Sequence, residues 1–205
     1  KAGNGKINSK IGRYKTIIES RKLSQNYRII GSEGDEYSEF KHPLGVAVSP
    51  IDGNIYVADS WNNRLQIFDE NGVFIKSIEK IDQNEFRYPY SIHIDRKGRI
   101  FVSDQSLIRI KVFDFDAKMN DLKLIKVIGK YGREVGCYSG LCDISTDKDN
   151  NIYVCDSGNH RILKFSENGE FMMQWGENGS NEGCFKCPAC VTVHEEKVIV
   201  SDWGK

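Results

Sequence analysis

The chain has 205 residues, 39% of them hydrophobic and 28% charged, with 29 Lys and Arg set against 29 Asp and Glu. That is enough apolar material for a core of single-domain size, and no apolar run approaches the roughly 18 residues a membrane span needs. The zero net charge hides an asymmetry, because Lys1, Lys6, Lys10, Arg13, Lys15, Arg21, Lys22 and Arg28 face the single acid Glu19 in the opening segment. Such a segment is a phosphate-binding surface or a solvated outer strand beside acidic neighbours. Arg13–Ile18 reads as one strand and Tyr27–Gly31 as the next, so that residues 1–39 form the back half of a repeat and a linker. No signal-peptide pattern opens the chain, and a start inside a repeat predicts a segment of something longer.

From His42 to Ile78 four β-branched and aromatic runs are separated by Asp52-Gly53, Asn62-Asn63 and Asn71-Gly72, residues that tolerate the positive φ of tight turns. Four such strands make a meander, and a lone meander must stack on copies of itself to bury its faces. The copies follow in order. Asp59 closes Ile-Tyr-Val-Ala-Asp, and Asp104, Asp156 and Asp202 close equivalent runs at intervals of 45, 52 and 46 residues. Four strands at that period predict an all-β chain, a β-propeller of four-stranded antiparallel blades. The expected blades are 40–85, 86–136 with a longer hairpin at Asp116 to Leu122, 137–184, and a front half at 185–205. Alternation nominates Val46, Val48, Ile55, Val57, Leu65, Ile67, Phe74 and Ile78 for the first core layer, with counterparts from Ile92 to Val198.

Each complete repeat places an arginine five residues after its aspartate: Asp59 with Arg64, Asp104 with Arg109, Asp156 with Arg161. These six are read as structural clamps, a guanidinium closing each turn on a carboxylate, because chemistry rarely recurs in every blade.

The stretches Asp-Ser-Gly-Asn-His-Arg-Ile at 156–162 and Asp-Ser-Trp-Asn-Asn-Arg-Leu at 59–65 resemble the NHL repeat. The resemblance runs from about Tyr27 to Lys205; Gly140 stands in place of Pro43, Pro89 and Pro188, and Gln-Ser-Leu-Ile precedes Arg109. It implies a propeller that commonly has six blades, or about 270 residues at this period, so a partial propeller is expected. It also implies kinship with the propellers at the C-termini of tripartite-motif (RING/B-box/coiled-coil) proteins, which recruit protein or RNA targets to a ubiquitin-ligase module.

The six cysteines include Cys184-Phe-Lys-Cys187-Pro-Ala-Cys190, a spacing shared with thiolate metal sites. Repeat register argues against a metal: Cys142 and Cys190 align with Gly45 and Ser91, Cys155 with Ala58 and Ser103, and Cys137 with Phe40. Small or apolar filler is the ordinary role of free buried cysteine. No metal and no cofactor are expected, and a reducing, cytoplasmic compartment is. The four histidines sit at unrelated blade positions, and neither a Gly-x-Ser-x-Gly nor a phosphate loop occurs. A propeller hydrolase or lyase is the remote alternative, and no enzyme activity is expected of this segment.

Binding is the reading the residues favour. The rim formed by the b–c turns and inter-blade linkers carries Lys41, His42, Trp61, Asn62, Arg87, Tyr88, Tyr90, Arg133, Tyr138, Asn159, His160, Lys186 and Trp203. Trp, Tyr and Arg are enriched at protein hot spots, which predicts a protein partner. The same rim suits single-stranded RNA, with bases stacked on Trp61, Tyr88 or Tyr138 and the backbone held by Lys41, Arg87 and Lys186.

Overall fold

The structure, a computed structural model, describes residues 28–81, 84–116 and 121–204. The strand read at Arg13–Ile18 lies outside them, and the described part of the one read at Tyr27–Gly31, residues 28–31, is not in a strand; the first strand begins at Ser32. Among the described residues there is no α-helix, and two short 3-10 turns, Ser60–Asn62 and Ser157–Asn159, punctuate the strands.

Three four-stranded antiparallel meanders and one hairpin follow each other along the chain, as blades of a β-propeller. The first blade holds β3 (Pro43–Val48), β4 (Ile55–Asp59), β5 (Arg64–Phe68) and β6 (Phe74–Ile78), preceded by the short parallel pair β1 (Ser32–Glu33) and β2 (Glu39–Phe40). A two-residue hairpin, β7 (Lys80–Ile81) with β8 (Asn84–Glu85), leads into the second blade. That blade holds β9 (Pro89–Ile94), β10 (Ile100–Asp104), β11 (Arg109–Asp116) and β12 (Asp121–Ile128). The third holds β13 (Leu141–Thr146), β14 (Ile152–Asp156), β15 (Arg161–Phe165) and β16 (Phe171–Trp175), and the last hairpin is β17 (Pro188–His194) with β18 (Lys197–Asp202).

Three apolar layers lie between the four sheets. Tyr56, Ala58, Leu65 and Ile67 of the first blade meet Ile92, Ile100, Val102 and Phe113 of the second. Phe101, Ile110, Val112 and Ile128 then meet Leu141, Ile144, Val154 and Phe165, and Tyr153, Cys155 and Ile162 meet Val191. Each layer exists because strand alternation sends one set of side chains forward and the other back. The inner strands approach closely: a Cβ on Gly45 would lie 2.9 Å from the backbone of Tyr90 and Ile92, so only glycine fits there. Buried hydroxyls tie the sheets at the same depth, Ser60 donating to the Pro89 carbonyl (2.6 Å) and Ser103 to the Cys142 carbonyl (3.0 Å). Val46 and Val48, expected in the core, are instead 66% and 62% exposed, because no described sheet lies against the rear of the first blade.

Third-blade register differs from the sequence reading by one residue. Leu141 pairs with Asp156 as Pro43 pairs with Asp59, Pro89 with Asp104 and Pro188 with Asp202, so Leu141 rather than Gly140 takes the proline position. Cys142 therefore matches Leu44, and Asp143 matches Gly45, Ser91 and Cys190. The same shift removes Tyr138 from the rim. Tyr138 is fully buried and packs on Gly129 as Phe40 packs on Gly31 and Phe185 on Gly176, each nine residues on. It anchors the linker, edge-on to Phe165 at 5.8 Å, and is unable to stack a base. Burial raises its phenol pKa well above the ordinary value, and its hydroxyl has no hydrogen-bond partner among the described residues.

Carboxylate–guanidinium pairs are present in two of the three complete repeats. Arg64 Nε donates to Asp59 at 2.7 Å and Arg161 Nε to Asp156 at 3.1 Å. Each guanidinium also holds the incoming linker, Arg64 through the Glu36 and Glu39 carbonyls (2.7 and 2.9 Å) and Arg161 through those of Glu134 and Cys137 (3.0 Å each). In the second blade the Asp104 partner is Lys111, at 2.9 Å, and not Arg109, which has no ion pair among the described residues. Lys111 is 1% exposed, donates to the Glu85 carbonyl and lies over the Phe86 ring at 5.0 Å. It reaches the carboxylate from two residues farther along the same strand face, where the first blade uses Gln66 for the same two acceptors, the Glu39 carbonyl and Asp59. Arg109 follows Ile108, whose φ of 49° is a left-handed conformation for a β-branched residue, where the other blades place Asn63 and His160.

Two outcomes test this packing by urea unfolding. Tyr138→Phe should raise stability by about 1 kcal/mol, the cost of an unpartnered buried hydroxyl; a loss would mean that the hydroxyl is bonded. Lys111→Met should cost about 3–5 kcal/mol by stranding Asp104, while Arg109→Ala stays within about 1 kcal/mol. The reverse order would restore Arg109 as the clamp.

Candidate functional site

The rim is built on four carboxylates. Each aspartate that ends a second strand accepts the backbone N–H of the residue following the linker's aromatic anchor: Lys41 to Asp59 (2.7 Å), Arg87 to Asp104 (3.0 Å), Ser139 to Asp156 (2.9 Å) and Lys186 to Asp202 (2.9 Å). A carboxylate accepting main-chain N–H groups fixes the linker above its own strand. The b–c turns then lace neighbouring blades, as the Tyr88 N–H donates to Asn63 Oδ1 (2.8 Å) and His160 Nδ1 donates to the Lys186 carbonyl (2.7 Å).

This lacing sorts the residues read as ligand contacts. The amides of Asn62 and Asn159 are committed internally: Asn62 donates to the Gly34 carbonyl (3.0 Å) and Asp59 (2.9 Å), and Asn159 to the Gly132 carbonyl (3.0 Å) and Asp156 (2.6 Å). His160 is likewise engaged, Tyr90 packs partly buried against the layer between the third and fourth sheets, and Tyr138 is an anchor. The exposed set is His42, Trp61, Arg87, Arg133, Lys186 and Trp203, with Lys41 and Tyr88 half-buried.

Two of these meet over the first blade. Trp61 is 60% exposed and stacks on His42, ring centroids 4.8 Å apart at 9°. His42 holds a left-handed φ of 53° before Pro43, and the Trp61 N–H donates to the Lys41 carbonyl at 3.1 Å. The pair walls a depression of about 590 Å³ between the linker and the turn. A second hollow of about 680 Å³ lies beside Asn62, Asn63, Phe86 and Arg87. The cations beside these two hollows are compensated, with Lys41 2.5 Å from Asp35 and Arg87 3.6 Å from Glu85, whereas Arg133 and Lys186 have no ion pair among the described residues. Tyr131 and Val135, exposed on the third linker beside Arg133, extend the apolar rim and were not signalled by the repeat pattern. Lys186 and Trp203 flank the last hairpin at its two ends, where the Trp203 backbone N–H donates to the Cys187 carbonyl (3.0 Å).

A second polar cluster sits among the inner strands. Asp143 accepts from the Ser91 hydroxyl (2.5 Å) and the Val191 N–H (3.0 Å), joining three blades. His93 Nε2 lies 2.8 Å from the Thr146 hydroxyl. Burial between the second and third sheets lowers its pKa from the ordinary histidine value, against the opposing pull of Asp143 and Asp95. Burial raises the Cys155 and Cys142 thiols, opposite to the shift that makes a cysteine reactive. Among the described residues no three His, Cys, Asp or Glu side chains are arranged to hold a metal, and no helix is long and apolar enough to cross a membrane.

Comparison with known proteins agrees with the repeat pattern. Residues 40–68 and 143–165 match the NHL repeat. It is 32% identical over 139 residues to peptidyl-glycine alpha-amidating monooxygenase B of Xenopus laevis, covering 63% of this chain and 15% of that protein. It is 27% identical over 185 residues to NHL repeat-containing protein 3 of Mus musculus, covering 78% and 48%. The RING finger protein nhl-1 of Caenorhabditis elegans is 33% identical over 79 residues, covering 37% and 8%. The chain thus spans less than half the length of these relatives. Virginiamycin B lyase from Staphylococcus aureus, 12% identical with a TM-score of 0.58, aligns over 85% of this chain and 52% of that one, and shares the fold.

The buried imidazole makes stability pH-dependent with a definite sign. The unfolded chain takes up the histidine proton near the ordinary value of about 6.5 while the folded chain resists it, so stability is lost as pH falls through that value. His93→Gln should narrow the stability difference between pH 7.5 and 5.5 in urea titrations. An unchanged difference would place that pH dependence elsewhere.

Proposed function

We propose that the chain is a non-catalytic target-recognition module that binds protein partners through the linker and turn rim of its propeller. The observation that carries this is the exposed Trp61 stacked on His42 beside cations already paired with carboxylates. Aromatic area is available there, whereas phosphate would meet Asp35, Glu36 and Glu85. Rigid aromatics on an ordered rim supply contact area at low entropic cost. The relationship to a RING finger protein supports a role as the substrate-recruiting part of a ubiquitin ligase, the attached module lying outside these residues, and a cytoplasmic setting goes with it. In this reading residues 40–85, 86–136 and 137–184 are whole blades, 185–205 the front half of another, and 1–39 a back half with its linker. One arrangement supports that last limit: Arg28 donates to the Asn71 carbonyl and Ile30 packs at Gly72, as Lys126 donates to the Asn168 carbonyl and Ile128 packs at Gly169.

The test compares the chain with its Trp61→Ala and Arg87→Glu/Lys186→Glu variants in two assays. One is affinity capture of cellular proteins, and the other is titration with a labelled single-stranded RNA pool at two salt concentrations. The account expects proteins that the chain retains and Trp61→Ala loses. Salt-sensitive RNA binding abolished by the charge-reversed variant, with capture indifferent to Trp61, would replace the protein partner by RNA.

A further inference from the structure

The depression in front of Trp61 has a chemistry narrower than a general contact surface. Its floor and walls are Ile30, Phe40, Pro43, His42 and Trp61, and its rim is Glu33 with Lys41. The linker from Glu33 to Glu39 carries four carboxylates, Glu33, Asp35, Glu36 and Glu39, and the one cation lining the depression is the half-buried Lys41. Two of the four have local partners. Asp35 pairs with Lys41, and Glu39 folds back to accept the Glu36 N–H at 3.0 Å. Glu33 and Glu36 have no ion pair among the described residues, and Glu33 is exposed on β1, which the parallel bridge to Phe40 holds at the mouth of the depression. Arg64, beneath this loop, brings no free charge, because Asp59 balances it.

An aromatic face with an unpaired carboxylate across a hollow is complementary to a cation. The ring quadrupole attracts an ammonium or guanidinium, the carboxylate supplies the counter-charge, and the apolar floor accepts the methylene stem. We infer that this depression accepts a lysine or arginine side chain presented by the protein partner. His42 stacks on one face of the indole, and Trp61 stays 60% exposed to meet the incoming cation. The inference rests on the recognition function proposed above and names the chemistry that the partner must carry. An anionic or purely apolar anchor would leave Glu33 uncompensated.

The test is an NMR titration that follows the Trp61 indole N–H, assigned with Trp61→Phe. Four pentapeptides serve as probes: Gly-Gly-Arg-Gly-Gly, Gly-Gly-Lys-Gly-Gly, Gly-Gly-Gln-Gly-Gly and Gly-Gly-Glu-Gly-Gly, all with blocked termini. The arginine and lysine peptides should shift the resonance saturably, and the glutamine and glutamate peptides should not. Glu33→Gln, a change at an exposed position, should weaken the arginine peptide about threefold, the scale of one exposed ion pair. Equal shifts from the glutamine peptide, or an arginine affinity indifferent to Glu33→Gln and, read at the backbone amides of Lys41 and His42, to Trp61→Phe, would overturn the inference. Failure here with protein capture still dependent on Trp61 leaves the recognition module standing with a different anchor chemistry. Failure of both removes the two together.

Discussion

The structure depends on one repeated bond, the grip of a strand-end carboxylate on the main chain of the linker entering its own blade. Asp59, Asp104, Asp156 and Asp202 each take a backbone N–H from that linker. In the three complete blades a buried cation closes the same carboxylate and reaches on to the linker carbonyls. A buried charge is tolerated only when its hydrogen bonds are met, and breaking such a pair costs about 3–5 kcal/mol. The linker is thereby held at both its N–H and its C=O groups, although it has little sheet structure of its own.

From that constraint the rim follows. With each linker fixed, the aromatic anchors Phe40, Phe86, Tyr138 and Phe185 are set beneath it, and the residues immediately after them are turned toward the rim. The short b–c turns can then bridge to the next linker, through Asn63 to Tyr88 and through His160 to Lys186. Farther in, Ser60, Ser103 and Asp143 tie neighbouring sheets across the apolar layers. Trp61 and His42 are displayed on a surface whose backbone is already committed, the preorganisation that recognition requires.

Much of this was legible in the residues alone. Period, turn chemistry and the Asp-to-Arg spacing predicted an all-β chain of four-stranded antiparallel meanders, and three such meanders are present. Register in the third blade was not legible, because Gly140-Leu141 stands where the other blades have a residue followed by proline, and the cysteines made a one-residue slip look consistent. The slip moved Tyr138 from anchor to rim. Its spacing of nine residues from Gly129, shared by Gly31 with Phe40 and Gly176 with Phe185, was the signal that could have corrected it. The Lys111 clamp was hidden by the regularity of Arg109, although a lysine among inward-facing residues of Arg109–Phe113 was an anomaly that only a buried carboxylate explains. On the rim, spacing could nominate exposed side chains but not say that Asn62 and Asn159 spend their amides on the frame.

Native-state hydrogen exchange tests the central claim most directly, read at the Lys41, Arg87, Ser139 and Lys186 amides. If the carboxylates hold the linkers, these four exchange only with global unfolding, as slowly as the amides of the inner strands. Exchange as fast as at linker positions such as Asp35 or Glu182 would contradict the account, leaving the rim without the frame on which the proposed recognition surface is built.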